Sequence, residues 1–234
     1  SPDQGAHAFC HCIPNTWHQM GVILAATDCL NWLAEITGQT VKALMHDCGV
    51  SETGPSPVLF HPYLSGERTP HNDAEARGAF FGLSRAHDRQ EMTRAVVEGV
   101  AFALADAVDV LAGASARPSS LLATGGGARS KRWLQIIAAV TQCPITVPAG
   151  SDFGAALGAA RLGKAAAGNL GVEELPTIMQ KPDMAEQIDP DKGKSKAALA
   201  REKKKERNLA AAAASSALGP RAKDSAKLLG AGAA

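Results

Sequence analysis

Residues 120–148 read SLLATGGGARSKRWLQIIAAVTQCPITVP, and this stretch decides the fold. Residues 120–124 form a short apolar run and read as a strand. Gly125, Gly126 and Gly127 follow at once, where the chain must turn sharply. Residues 130–142 then read as a helix, with Trp133, Ile136, Ile137 and Val140 on one face. Residues 144–148 read as a second strand. Strand, glycine turn, helix, strand is the order of an α/β domain, in which a helix carries the chain between parallel strands.

The flanking sequence extends this pattern. Residues 153–167 form an Ala-rich helix, and its Ala156, Gly158, Ala159 and Ala160 would let a neighbour pack closely. Asp152 stands where an N-cap is expected. Upstream, Asp88 starts a long helix, and Glu91 three residues on suggests a capping box. Val96, Val100, Ala103, Ala107 and Leu111 recur at helical spacing, joined by Val97, Leu104 and Val108, so this helix faces a core. Gly113 marks its expected end. Residues 79–83 are compact and apolar, and residues 58–60 read as a short buried strand. Residues 51–57 are rich in turn formers. Residues 62–73, PYLSGERTPHND, form a long polar loop, and such loops more often carry function than merely connect. Residues 17–36 read as a helix, on the spacing of Met20, Leu24, Leu30 and Leu33, with Gly38 as its stop. Residues 41–48 read as a second, shorter helix.

The chain has 234 residues and a net charge of +1, with 45% hydrophobic and 4% aromatic residues. That length can bury a core, and near-neutrality argues against a dedicated nucleic-acid binder. No uncharged run is long enough to span a bilayer. The five cysteines, Cys10, Cys12, Cys29, Cys48 and Cys143, lack the spacing of a disulfide framework and point to reduced thiols in a cytoplasmic protein. Cys10-His11-Cys12 is tighter than a zinc C-x2-C and has no second pair, which favours small residues in a half-buried strand over a metal site. All ten aromatics lie between Phe9 and Phe153. Residues 181–234 have none, yet hold 12 of the 24 Lys and Arg and only 7 of the 23 Asp and Glu. Two regions are therefore expected: a folded, slightly acidic domain over 1–180, and a basic, low-complexity tail over 181–234, disordered or partly helical over 197–217. Lys203-Lys204-Lys205 fits a solvated charge run in such a tail.

The glycine turn has its own chemistry. Glycines let a ligand approach without obstruction by Cβ, and a following helix N-terminus offers free N–H groups. The turn suits a nucleotide's phosphates, ribose or base. It is neither a Walker A loop nor G-x-G-x-x-G, and it equally fits a tight strand-to-helix connection.

Residues 78–98, GAFFGLSRAHDRQEMTRAVVE, resemble the second signature of the FGGY carbohydrate kinases: Gly78, Phe80, Gly82 and Leu83, then Glu91, Met92, Ala95, Val96, Val97 and Glu98. The glycine turn and residues 152–163, DFGAALGAARLG, follow in that family's order. Residues 62–73 and residues 7–20, HAFCHCIPNTWHQM, resemble the xylulokinase branch. The resemblance runs from about His7 to about Gly163 and covers about the C-terminal third of a full-length member.

This resemblance implies an actin-like (ribonuclease H-like) ATPase domain, the C-terminal domain of a sugar kinase, incomplete at its N-terminus. It implies ATP and Mg2+ as cofactor and ion, a pentulose sugar as substrate, a cytoplasmic location, and no nucleic-acid or membrane partner; a homodimer is compatible with it. The family's adenosine contact falls on Gly126, with Gly125 and Gly127 beside it. Ser130 stands where many members have an Asn near the nucleotide, and Asn31 aligns with a position near the nucleotide in glycerol kinases. An exposed polar helix residue is the plain alternative for Asn31. Glu67, Arg68 and His71 are read as fixing their loop and a domain interface rather than as catalytic. The family's carboxylate base, phosphate loop and most sugar contacts lie upstream of anything here, so no catalytic residue is assigned and the isolated chain is expected to be inactive. Another FGGY sugar kinase, or a non-catalytic nucleotide-binding or interaction module, remains as an alternative. The Lys- and Ala-rich end departs from the aromatic-containing helix of the family, as a frameshifted or diverged end would.

Overall fold

A computed structural model describes residues 5–50, 55–150, 154–179 and 182–190. The chain opens with a hairpin in which β1 (His7–Cys10) pairs antiparallel with β2 (Trp17–Met20). Two helices follow, α1 (Asp28–Thr37) and α2 (Val41–Val50). A second antiparallel pair joins β3 (Leu59–His61) to β4 (Ala79–Phe81). The long α3 (Arg89–Ala114) comes next, then β5 (Leu121–Leu122), α4 (Lys131–Thr141) and β6 (Ile145–Pro148). The described chain ends with α5 (Gly154–Ala167), the short α6 (Leu175–Ile178) and β7 (Met184–Ile188).

The helix expected over 17–36 is instead a strand, a connection and a shorter helix. Gly21 explains part of the break, since a Cβ placed there would lie 3.1 Å from the Ala107 Cβ of α3. Trp17 and His18 carry bulky rings that suit a strand. The spacing of Met20 and Leu24 only imitates a helix. Both are exposed, whereas Leu30 and Leu33 of α1 are buried. Gly38 does end α1, in left-handed backbone at φ 63°. The expected strand at Cys10 is present, but Cys10 and Cys12 are exposed rather than half-buried.

α3 organises the molecule. It packs against α1, α2, β3 and α4. From Thr93 to Ala103 its buried residues run all round the helix rather than along one stripe. Such a helix must be covered on every side. Its N-terminus is capped by Asp88, whose side chain accepts a hydrogen bond from the Glu91 N–H at 3.0 Å. The reciprocal half of the expected capping box is not made. Glu91 turns toward Arg94, with 4.0 Å between Oε2 and Nη1. The helix runs one residue past Gly113, to Ala114.

The main sheet has the order β5-β6-β7. β5 and β6 are parallel and α4 crosses between them, as the glycine-turn stretch predicts. β7 adds antiparallel to β6, with Ile145 opposite Ile188. Sequence reading missed β7, and the sheet therefore continues past residue 180. Its inner side chains, Ile145 and Ile188, pack with Leu134 and Ala138 of α4. The second cluster of core residues joins α1, α2, β3 and α3, where the rings of Trp32, Phe60 and Phe80 pack with centroids 4.6–6.4 Å apart. The small residues of α5 do not pack closely on a neighbour; of that helix only Ala165 is buried. Asp152, the tail over 197–217 and Lys203–Lys205 lie outside the described residues.

The polar loop over 62–73 is held from inside. Thr69 is fully buried; its N–H donates to the Val22 carbonyl, its hydroxyl donates to the Gly5 carbonyl and accepts from the Val22 N–H. Glu67 is buried and accepts from the Arg68 N–H at 2.7 Å; burial pushes its carboxyl up from the usual range. His71 meets the Tyr63 hydroxyl at 3.0 Å. Glu67 and His71 thus brace the loop, while Arg68 is exposed and takes no such internal part.

Candidate nucleotide site

The glycine turn departs from β5 as extended backbone and closes as a single 3-10 turn over Gly126–Arg129. Gly125 takes φ 84°, a region that disfavours every residue with a Cβ. The turn is closed by the Ala128 N–H donating to the Gly125 carbonyl and the Ser130 N–H to the Gly127 carbonyl. α4 begins only then, so the glycines do not abut its N-terminus directly. Ser130 is its N-cap, and its hydroxyl oxygen accepts from the Trp133 N–H at 3.3 Å.

Below the turn lies a cavity of about 450 Å3. Its walls are mostly apolar: Val100, Leu104 and Val108 from α3, and Trp133, Leu134 and Ile137 from α4. Trp133 is fixed there by its ring N–H, which donates to the Val97 carbonyl at 3.1 Å. Gly125, Gly126 and Gly127 line the mouth. Cβ atoms placed on Gly125 and Gly126 would meet nothing within 4 Å. That face of the turn is open to a ligand rather than packed on protein. A Cβ on Gly127 would meet the Trp133 ring at 3.4 Å and the Thr27 hydroxyl at 3.7 Å, ordinary contact distances, so this part of the turn faces protein rather than open space.

The structure thus brings the three glycines together around one opening. Ser130 adjoins them but does not line the cavity, and its hydroxyl is engaged in the helix cap. Asn31 is exposed on α1, outside the lining, with its amide 3.5 Å from Asp28 Oδ1. Ala26 and Thr27, at the start of α1, form the lip opposite the glycines. Sequence reading missed this pair because it placed them mid-helix. The signal was there: Thr27-Asp28 just ahead of Leu30 and Leu33 is a helix-start pattern. An apolar cavity with a few polar groups at its rim fits a nucleoside, its base in the walls and its polar parts at the mouth. Among the described residues no group of three or more His, Cys, Asp or Glu could hold a metal ion.

Residues 2–167 match the C-terminal domain of the FGGY family of carbohydrate kinases. The chain belongs to that family. Its sequence is 47% identical over 167 residues to the xylulose kinase of Escherichia coli strain K12, covering 71% of this chain and 34% of that protein. It is 44% identical over 162 residues to the xylulose kinase of Klebsiella pneumoniae, covering 69% of this chain and 33% of the other. Among solved structures, a xyloylose kinase from Brucella ovis superposes with a TM-score of 0.81 at 44% identity, over 92% of this chain and 44% of that one. The xylulose kinase from Rhodospirillum rubrum gives a TM-score of 0.70 at 30% identity, over 88% of this chain and 42% of that one. The architecture is therefore that of the C-terminal, actin-like part of an FGGY sugar kinase. The chain spans about a third of the length of the curated relatives it matches.

Proposed function

We propose that this chain is the nucleotide-binding part of a kinase that transfers the γ-phosphoryl group of ATP to D-xylulose, giving xylulose 5-phosphate. The observation that carries this reading is the open glycine turn over an apolar cavity, in a chain whose relatives are xylulose kinases. Phosphoryl transfer needs positioning and charge neutralisation more than covalent chemistry. Gly125 and Gly126 admit the nucleotide close to the backbone, and the walls of α3 and α4 exclude water from its base. Asn31, one turn beyond Thr27 on α1, and Ser130, three residues past Gly127, are assigned supporting roles at the nucleotide, although neither lines the cavity. Mg2+ would supply neutralisation of the phosphate charge, and no residue of this chain is assigned to hold it. A cytoplasmic setting goes with this reading. No residue of this chain is assigned as the base that takes the sugar hydroxyl proton.

Two measurements test the proposal. Calorimetric titration of the chain with ADP and Mg2+ is expected to give saturable binding, weakened at least tenfold by Gly126→Val. A Cβ at Gly126 clashes with nothing, so the variant is expected to fold. A folded chain that takes up no ADP, or a Gly126→Val variant that binds as tightly as the parent, would remove the site. Separately, the purified chain alone is expected to show no ATP-dependent phosphorylation of D-xylulose, because none of its residues is assigned as the base. Turnover above a no-protein control would show that a catalytic group has been missed here.

A further inference from the structure

Thr27 occupies the N-cap position of α1 without performing the cap. An N-cap side chain normally turns back to accept from the second or third N–H of its helix, from an extended backbone. Here the backbone is helical, at φ −63° and ψ −25°, and the side chain makes no capping hydrogen bond. Only the Thr27 carbonyl serves the helix, accepting from the N–H groups of Leu30 at 3.0 Å and Asn31 at 3.4 Å. The hydroxyl is directed at the glycine turn instead, 3.7 Å from where a Gly127 Cβ would stand.

The lining carries three hydroxyls, those of Thr27, Thr124 and Thr141. Most of the cavity is hydrocarbon, and Thr141, a second hydroxyl in its wall, already donates to the Ile137 carbonyl at 2.7 Å. Thr124, directly before Gly125, lies against the start of α5, 3.6 Å from where a Gly154 Cβ would stand. Thr27 is exposed at the lip, where the sugar of a nucleoside would rest once its base is in the apolar walls. We propose that the Thr27 hydroxyl hydrogen-bonds the ribose of the bound nucleotide and so sets the preference for a hydroxylated sugar. This rests on the nucleotide reading of the cavity and names the part of the ligand that Thr27 recognises.

The test compares ADP with 2′,3′-dideoxy-ADP, each with Mg2+, by calorimetry on the full 234-residue chain. One hydrogen bond of ordinary strength corresponds to about a five- to tenfold preference. The parent chain is expected to favour ADP by that factor. Thr27→Val keeps the shape without the hydroxyl and is expected to bind ADP about five- to tenfold more weakly, with the preference gone. Thr27→Ser keeps the hydroxyl and is expected to retain the preference. An unchanged preference in a folded Thr27→Val chain that Gly126→Val still disables would overturn the ribose contact and leave the site standing. Absence of ADP binding to the parent chain would overturn the nucleotide reading and this inference with it.

Discussion

Gly99→Ala is expected to destabilise the protein by about 2–3 kcal/mol and to lower its melting temperature by roughly 8 °C. Gly99 sits in the middle of α3, where alanine would ordinarily stabilise a helix by about 1 kcal/mol. Here the added Cβ would stand 2.4 Å from the Phe60 carbonyl oxygen and 3.2 Å from its carbon. Both are backbone atoms of β3, so relief requires α3 and β3 to move apart. That movement would also disturb Phe60, which is 2% exposed, stacked on Trp32 and tilted against Phe80. Overpacking costs of about 1–3 kcal/mol, with a strand displaced as well, exceed the gain in helix propensity. Gly158→Ala in α5 is the internal control. Nothing lies within 4 Å of its added Cβ, and it is expected to gain up to about 1 kcal/mol. Thermal unfolding followed by circular dichroism measures both; equal and small shifts would mean that α3 and β3 are not in close contact.

Arg94→Met is expected to cost about 3–5 kcal/mol at neutral pH, less at pH 5. Arg94 is 5% exposed and its Nε lies 3.3 Å from Glu98 Oε1, on the next turn of α3. Glu98 is 8% exposed and also accepts from the Ser56 N–H, at 3.0 and 3.2 Å to its two oxygens. The pair therefore holds the segment before β3 onto α3. Burial pushes the Glu98 carboxyl up from its ordinary range, against the lowering effects of the Ser56 N–H and Arg94. A carboxyl raised in the folded state binds more protons there than in the unfolded chain. Stability then falls as pH rises from the unfolded value, near 4.5, through the folded one. Removing Arg94 takes away a lowering influence, so the window extends to higher pH and the deficit grows across it. Urea titrations at pH 5 and pH 7.5 check this. A deficit independent of pH would place the loss in packing rather than in the unpaired carboxylate.

Different parts of this structure were legible in the sequence to different degrees, for physical reasons. Residues 120–148 were read correctly because each element there is short, bounded by glycine or proline, and carries its own apolar face. α3 was placed from its cap and its stripe, although burial all round could not be seen from a stripe alone. Residues 17–36 misled because Met20 and Leu24 happen to stand at helical spacing, while pairing with β1 holds Trp17–Met20 as a strand. β7 was missed for a similar reason: Met184–Ile188 has no strong alternation, and becomes a strand because β6 offers it an open edge. At the candidate site the glycines were legible as a local motif. Thr27 was not, because its place opposite Gly127 depends on how α1 is set against the turn.

α3 also has a consequence for how the molecule comes apart. It is the shared wall between the cluster holding β3 and the α4 layer beneath the glycine turn. Neither side keeps a complete core without it. Amides in the middle of α3 should therefore exchange with solvent only when the described domain unfolds as a whole, whereas the exposed β1–β2 hairpin and α5 can open locally. Ligand binding at the glycine turn would then slow exchange on the far side, at Ser56 and Phe60, without any structure changing there. The helix makes one cooperative unit of the glycine-turn side and the β3 side.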